Sequence, residues 1–144
     1  MEWLPAIAVA CMISILSTDA FSGDHTSLYI IPVLHRIFPS AEAESLKLIH
    51  AVIRKLAHFT EYFLLGLALF RGLRGENRGW TLRWALLAVA IAAGYAALDE
   101  FHQVFVPSRH ASPWDSLLDT IGAAIAQVAV WAGRKGKPTA IREP

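Results

Sequence analysis

Residues 84–98 read WALLAVAIAAGYAAL, fifteen positions without a charged side chain. A helix on the surface of a water-soluble protein keeps a polar face, and no rotation of this stretch about a helical axis exposes one. Working outward, residues 3–18 carry no charge, residues 56–73 carry only Glu61 and Arg71, and residues 116–133 carry only Asp119. Each stretch extends to the roughly 20 residues that a helix needs to cross a hydrocarbon core of about 30 Å. Composition agrees: 55% of residues are hydrophobic and 17% are Asp, Glu, Lys or Arg, against about 45–50% and about 25% in soluble domains. The expected fold is all-α, an integral membrane bundle of four transmembrane helices.

A chain of 144 residues suits one domain. Residues 1–134 read as the four-helix membrane domain and 135–144 as a short basic tail. Met1 and Glu2 supply no basic segment ahead of the first apolar stretch, which therefore reads as a retained span and not a cleaved signal. The single cysteine, Cys11, excludes an intrachain disulfide and a Cys-based zinc site, and reads as a buried thiol. A net charge of +1, with no basic stripe interleaved with aromatics, excludes a nucleic-acid partner.

Placement of charge sets the expected orientation. Arg71, Arg74, Arg78 and Arg83 lie between the second and third stretches, and Arg134, Lys135, Lys137 and Arg142 lie in the tail. The other two connections hold only Arg36, Lys47 and Arg109. By the positive-inside rule both termini are cytoplasmic. Residues 28–38 (LYIIPVLHRIF), in the long first outer connection, suit the membrane interface. Glu42 and Glu44 suit a helix N-terminus, so the second spanning helix is expected to begin outside the bilayer. Small residues at Ala88, Ala92, Gly94 and Ala97, and at Gly122, Ala123 and Ala126, are read as surfaces where neighbouring backbones approach closely.

Ionisable residues inside apolar helices are costly, about 2.5–3.5 kcal/mol each near the bilayer centre on insertion scales, and so need partners or a cavity. Arg54, His58 and Glu61 follow i, i+4, i+7 spacing on one helical face, with Lys55 and Tyr62 on the adjoining strip. Asp99 and Glu100 close the third stretch, followed by His102, Gln103 and Arg109, and Asp115 and Asp119 open the fourth, one turn apart. Under the orientation above, all three groups meet at the extracytoplasmic side, where the carboxylates can pair with Arg54, Lys55 and Arg109.

Two ordered motifs carry a resemblance. The run Arg54, Lys55, Leu56, Ala57, His58, Phe59, Thr60, Glu61, Tyr62, and the later Asp99-Glu100-x-x-Gln103-x-Phe105-x-Pro107-x-Arg109, followed by Asp115, Asp119 and Gly122, resemble the VanZ-like family. Phe21 and Ser22 are similar to the Phe-Ser that closes that family's first helix. The chain departs at Asp119, where many members carry Asn. The resemblance implies a multi-pass protein of the bacterial cytoplasmic membrane, similar to accessory proteins associated with reduced teicoplanin sensitivity. It defines no reaction.

Two function classes follow. In the first, the protein is a non-enzymatic binder of an anionic envelope lipid or amphiphile. Arg54, Lys55 and Arg109 hold a phosphate or carboxylate, and His58, Glu61, Tyr62, Asp99, Glu100, Gln103, Asp115 and Asp119 complete the site. In the second, it is a membrane enzyme acting on a lipid-linked envelope substrate, with His58 as general base positioned by Glu61 and with Asp99 or Glu100 as acid. No serine is coupled to His58 by any pattern, which disfavours covalent catalysis. His58, Glu61, Asp99, Glu100, His102 and Asp115 would suffice in number for a divalent ion, but no metal or other cofactor is expected. The expected partners are membrane lipids, with a lipid-linked envelope precursor or a lipoglycopeptide as the further candidates.

Overall fold

The computed structural model describes residues 1–77, 79–106 and 112–135. Among them every regular element is helical: α1 (Leu4–Leu16), a short 3-10 turn (Asp19–Phe21), α2 (Gly23–Ile37), α3 (Ala43–Arg74), α4 (Leu82–Gln103) and α5 (Pro113–Lys135).

The expected first span is broken. Thr18 turns its hydroxyl back onto the Ile15 carbonyl at 2.7 Å, and Ser22 caps the next helix by accepting from the His25 amide, so a stop and a start follow within six residues. The chain bends by 77° between α1 and α2. At about 1.5 Å per residue, the 13 residues of α1 cover roughly 20 Å, short of a bilayer core. α4 and α5 are each long and apolar enough to cross a membrane, and α1 with α2 makes a third candidate if the bent pair is one broken span. α3 runs for 32 residues, about 48 Å, and its apolar part is interrupted by His58, Glu61 and Arg71. It ends at Gly75, whose φ of +57° suits a residue without a Cβ.

Side-chain contacts fix the directions of the helices. Glu2 pairs with Arg71 at 3.0 Å and the Trp3 indole lies against Gly72, at the far end of α3. Ser14 meets the Tyr95 hydroxyl at 2.6 Å, and Ser17 donates to Asp99 at 2.7 Å. α1 is thus antiparallel to α3 and parallel to α4. α5 runs parallel to α3, since Lys55 meets Asp115 and Gly66 meets Gln127. The four long elements alternate in direction, and residues 1 and 135 lie at the same end.

α2 folds back along the first third of α3, with Gly23 beside Arg54 and Thr26 beside His50. Leu28, Tyr29, Val33 and Ile37 remain exposed on it.

The core stripe of α4 is Ala85, Ala88, Ala92 and Ala96, all buried. Gly94 and Ala97, expected at a tight interface, face outward, and nothing lies within 4 Å of a Cβ built on Gly94. They miss the 85, 88, 92, 96 register and so point away from the bundle. Gly122 and Ala123 do meet a neighbour: a Cβ on Gly122 would stand 2.6 Å from the Phe59 carbonyl oxygen, and one on Gly66 would stand 2.9 Å from Ala123 Cα. Cys11 is exposed on α1, contrary to its reading as a buried thiol. On a membrane helix the outward face is apolar too, so apolar neighbours do not mark the interior.

Candidate functional site

The polar residues collect at the end of the bundle where α1, α4 and the first turns of α5 meet the middle of α3. Along the α3/α5 seam they form successive rungs. Lys55 Nζ lies 2.6 Å from Asp115 Oδ1, and one turn deeper His58 Nδ1 lies 3.8 Å from Asp119 Oδ1. The spacing follows from the sequence, because residues 55 and 58 on one helix and 115 and 119 on the other each recur after about one turn. The next turn is closed by the Gly122–Phe59 approach. The first rung is open to solvent, while Asp119 is only 2% exposed.

Asp99 belongs to a second group, between α4 and α1. Its Oδ2 accepts from Ser17 at 2.7 Å and from Gln103 Nε2 at 3.0 Å. Glu100 accepts from the Ser112 backbone amide and so ties the end of α4 to the start of α5. Tyr62 is fully buried, 6.3 Å from the Tyr95 ring in a tilted arrangement, and its hydroxyl has no hydrogen-bond partner among the described residues.

The third group faces α1 and α2. Arg54, His58 and Glu61 line a cavity of about 160 Å³ with Leu16, Phe21, Ile30 and Ile53 among its other walls. The guanidinium of Arg54 packs onto Gly23, in the space a Cβ there would fill. No carboxylate among the described residues lies within ion-pair distance of it. Lys55, by contrast, is committed to Asp115. Arg109 lies outside the described residues.

One cluster was expected, and three adjoining groups are found. The acidic group brought nearest His58 is Asp119 from α5, beside the Glu61 expected from sequence, because the parallel packing of α3 and α5 carries Asp119 to that level. Among the described residues no three His, Cys, Asp or Glu side chains gather closely enough to hold a metal ion.

The sequence reading gave His50 no role. It is buried, with Nε2 3.2 Å from the Thr26 hydroxyl. Burial, and secondarily the positive charge of Arg54, hold its pKa below the ordinary 6.5. The signal was present: His50 sits four residues before Arg54 and extends the 54, 58, 61 face by one turn.

Residues 3–134 match the family described as VanZ/LLP1. The chain belongs to that family. Comparison with curated proteins and with solved structures found no match. As a VanZ/LLP1 membrane protein, it brings Lys55, His58 and Tyr62 of α3, Asp99 and Gln103 of α4 and Asp115 and Asp119 of α5 to one end of the bundle, while Leu56, Phe101 and Phe105 face outward, and the second motif continues to Arg109, outside the described part.

Proposed function

We propose that this VanZ/LLP1 protein is a multi-pass protein of the bacterial cytoplasmic membrane that binds an anionic envelope lipid or amphiphile at its extracytoplasmic face. Four crossings, by α1 with the residues that lead from it into α2 and by α3, α4 and α5, with both termini cytoplasmic, accord with the alternating directions of these helices and with the arginines of the 71–83 connection. α2 and the start of α3 then lie at the outer surface. The observation that carries the reading is Arg54, a half-buried cation facing a largely apolar cavity that it shares with Glu61, with no carboxylate within ion-pair distance among the described residues. An uncompensated guanidinium in such a place favours an anion from outside the chain, and its planar donor set suits phosphate or carboxylate. A link to lower teicoplanin sensitivity would act through occupancy of this outer-face site.

Native mass spectrometry of the protein released from mild detergent tests this directly. Wild type should retain an anionic lipid that Arg54→Ala loses; equal retention by both would sink the reading. One observation favours an enzyme instead: His58 Nδ1 stands 3.8 Å from the buried Asp119 carboxylate, too far for a hydrogen bond but a pairing that would orient the imidazole as a general base once the gap closed. In that case a lipid-linked substrate would be turned over by wild type and not by His58→Gln.

A further inference from the structure

Arg54 stands between two cavities. On one side is the mainly apolar chamber of about 160 Å³ walled by Leu16, Phe21, Ile30, Ile53 and Ala57, with His58 and Glu61 also on its lining. On the other is a chamber of about 340 Å³ between α2 and α3, lined by Asp24, Ser27, Lys47 and His50 as well as Arg54. The two flank Arg54 and overlap along α3, since Thr26, on the lining of the apolar cavity, lies beside His50, on the lining of the polar one. On α3 the polar cavity is confined to Lys47–Arg54, whereas the apolar one continues to Ala57, His58 and Glu61. From Lys47 to Ala57 is ten residues, or about 15 Å of helix. A polar cavity at the start of the helix beside an apolar one that continues deeper suits a headgroup and the first part of a chain.

Charge in the upper chamber favours an anion. Lys47 and Arg54 outnumber the one carboxylate, Asp24. Lys47 makes only a 3.8 Å contact with Glu44 three residues earlier, both side chains well exposed, and such pairs hold a cation weakly. His50 supplies a neutral imidazole at pH 7, because burial lowers its pKa. A carboxylate is satisfied by one guanidinium fork, whereas a phosphate has further oxygens for a second cation and a hydroxyl.

Resting on the anionic-lipid reading above, we infer that this two-chambered slot holds a phosphate-headed lipid. Its phosphate lies against Arg54 and Lys47 between α2 and α3, and its first carbons lie in the chamber below, with the rest of the chain in the bilayer. The ligand class is therefore narrower than any anionic amphiphile: a phosphate monoester or diester on an apolar chain.

The test uses the full chain in nanodiscs of zwitterionic lipid, titrated with phosphatidic acid, oleic acid or inorganic phosphate, for wild type, Lys47→Gln, Ile30→Trp and Arg54→Gln. Phosphatidic acid should bind wild type, and its affinity should fall about tenfold in Lys47→Gln and in Ile30→Trp, which fills the lower chamber. Oleic acid should be indifferent to Lys47→Gln, and inorganic phosphate should bind far more weakly than phosphatidic acid. If Arg54→Gln alone removes binding, the two-chambered slot is wrong and the broader reading stands. If no variant changes binding, both fall. Inorganic phosphate binding as tightly as the lipid would overturn the lipid assignment. Should Ile30→Trp fail to fold, Lys47→Gln at an exposed position still decides.

Discussion

Gln127 of α5 donates its side-chain Nε2 to the backbone carbonyl of Gly66 on α3 at 2.9 Å, inside the bundle. The bond forms because the two backbones nearly touch: Gly66 faces Ala123, and Gly122 faces Phe59. Lipid is as apolar as leucine, so burial alone gives membrane helices little reason to associate, and close backbone contact with interhelical hydrogen bonds takes its place. That contact sets the α3/α5 register, and the register brings Lys55 to Asp115 and His58 to Asp119.

Gly66→Ala should therefore destabilise the bundle although alanine is the better helix former. A Cβ at 66 would stand 2.9 Å from both Ala123 Cα and its carbonyl oxygen, and backbone cannot move aside as a flexible side chain can. Overpacking of this kind costs about 1–3 kcal/mol. Gly94→Ala, with open space around it, should leave stability unchanged or slightly raised. Reversible unfolding in mixed micelles checks the pair; equal behaviour would mean the helices are not closely apposed at Gly66.

Lys55 and Asp115 should contribute little to stability despite their 2.6 Å separation. Lys55 is more than half exposed, and exposed pairs are typically worth about 0.2–1 kcal/mol. A double-mutant cycle with Lys55→Met and Asp115→Asn should give a coupling below about 1 kcal/mol that shrinks with added salt. A larger, salt-insensitive coupling would show that the rung is shielded from water.

The apolar class of this protein was legible in residues 84–98, because a surface helix of a soluble protein keeps a polar face and a chain of 144 residues has little core in which to bury a helix on every side. The N-terminal boundary of α3 was legible in Glu42 and Glu44, which stand at its N-cap and in its first turn, and the polar face in the 54, 58, 61 spacing. What escaped was one local break and much that depends on two helices at once. The break at Ser17–Ser22 is made by hydroxyls turning onto local backbone, which hydropathy does not register. The outward position of Gly94 and Ala97 depends on which of several alanine stripes α4 buries. The approach of Asp119 to His58 depends on parallel packing of helices some 60 residues apart. His50 and Lys47 gain meaning only because α2 folds back over them.

His50 gives a pH signature. Its pKa is held below the ordinary 6.5 in the folded protein, so on acidification the unfolded chain takes up a proton before the folded chain does. The associated stability is fully present above about pH 6.5 and is lost as pH falls toward the folded value. His50→Gln, which keeps a polar partner for Thr26, should lose less stability than wild type between pH 7.5 and 5. Thermal unfolding of both proteins across that range measures it, and parallel curves would show that His50 is no more buried folded than unfolded.

Gly23→Ala separates the position of Arg54 from its presence. The Arg54 guanidinium occupies the space that a Cβ on Gly23 would fill, so alanine there must push it aside. The displaced group is the far end of a flexible side chain, so folding should suffer little. Replacing glycine at the first residue of α2 also removes backbone freedom from the unfolded chain, a gain of about 0.4–1 kcal/mol where the conformation is compatible. Stability should thus hold or rise slightly while affinity for an anionic lipid falls several-fold. Gly79→Ala, with no neighbour within 4 Å, is the matched control and should bind as wild type. The two readouts move in opposite directions only if Arg54 acts through where it is held; loss of both together would report a folding defect, and unchanged binding would remove Arg54 at this position as the anchor of the ligand.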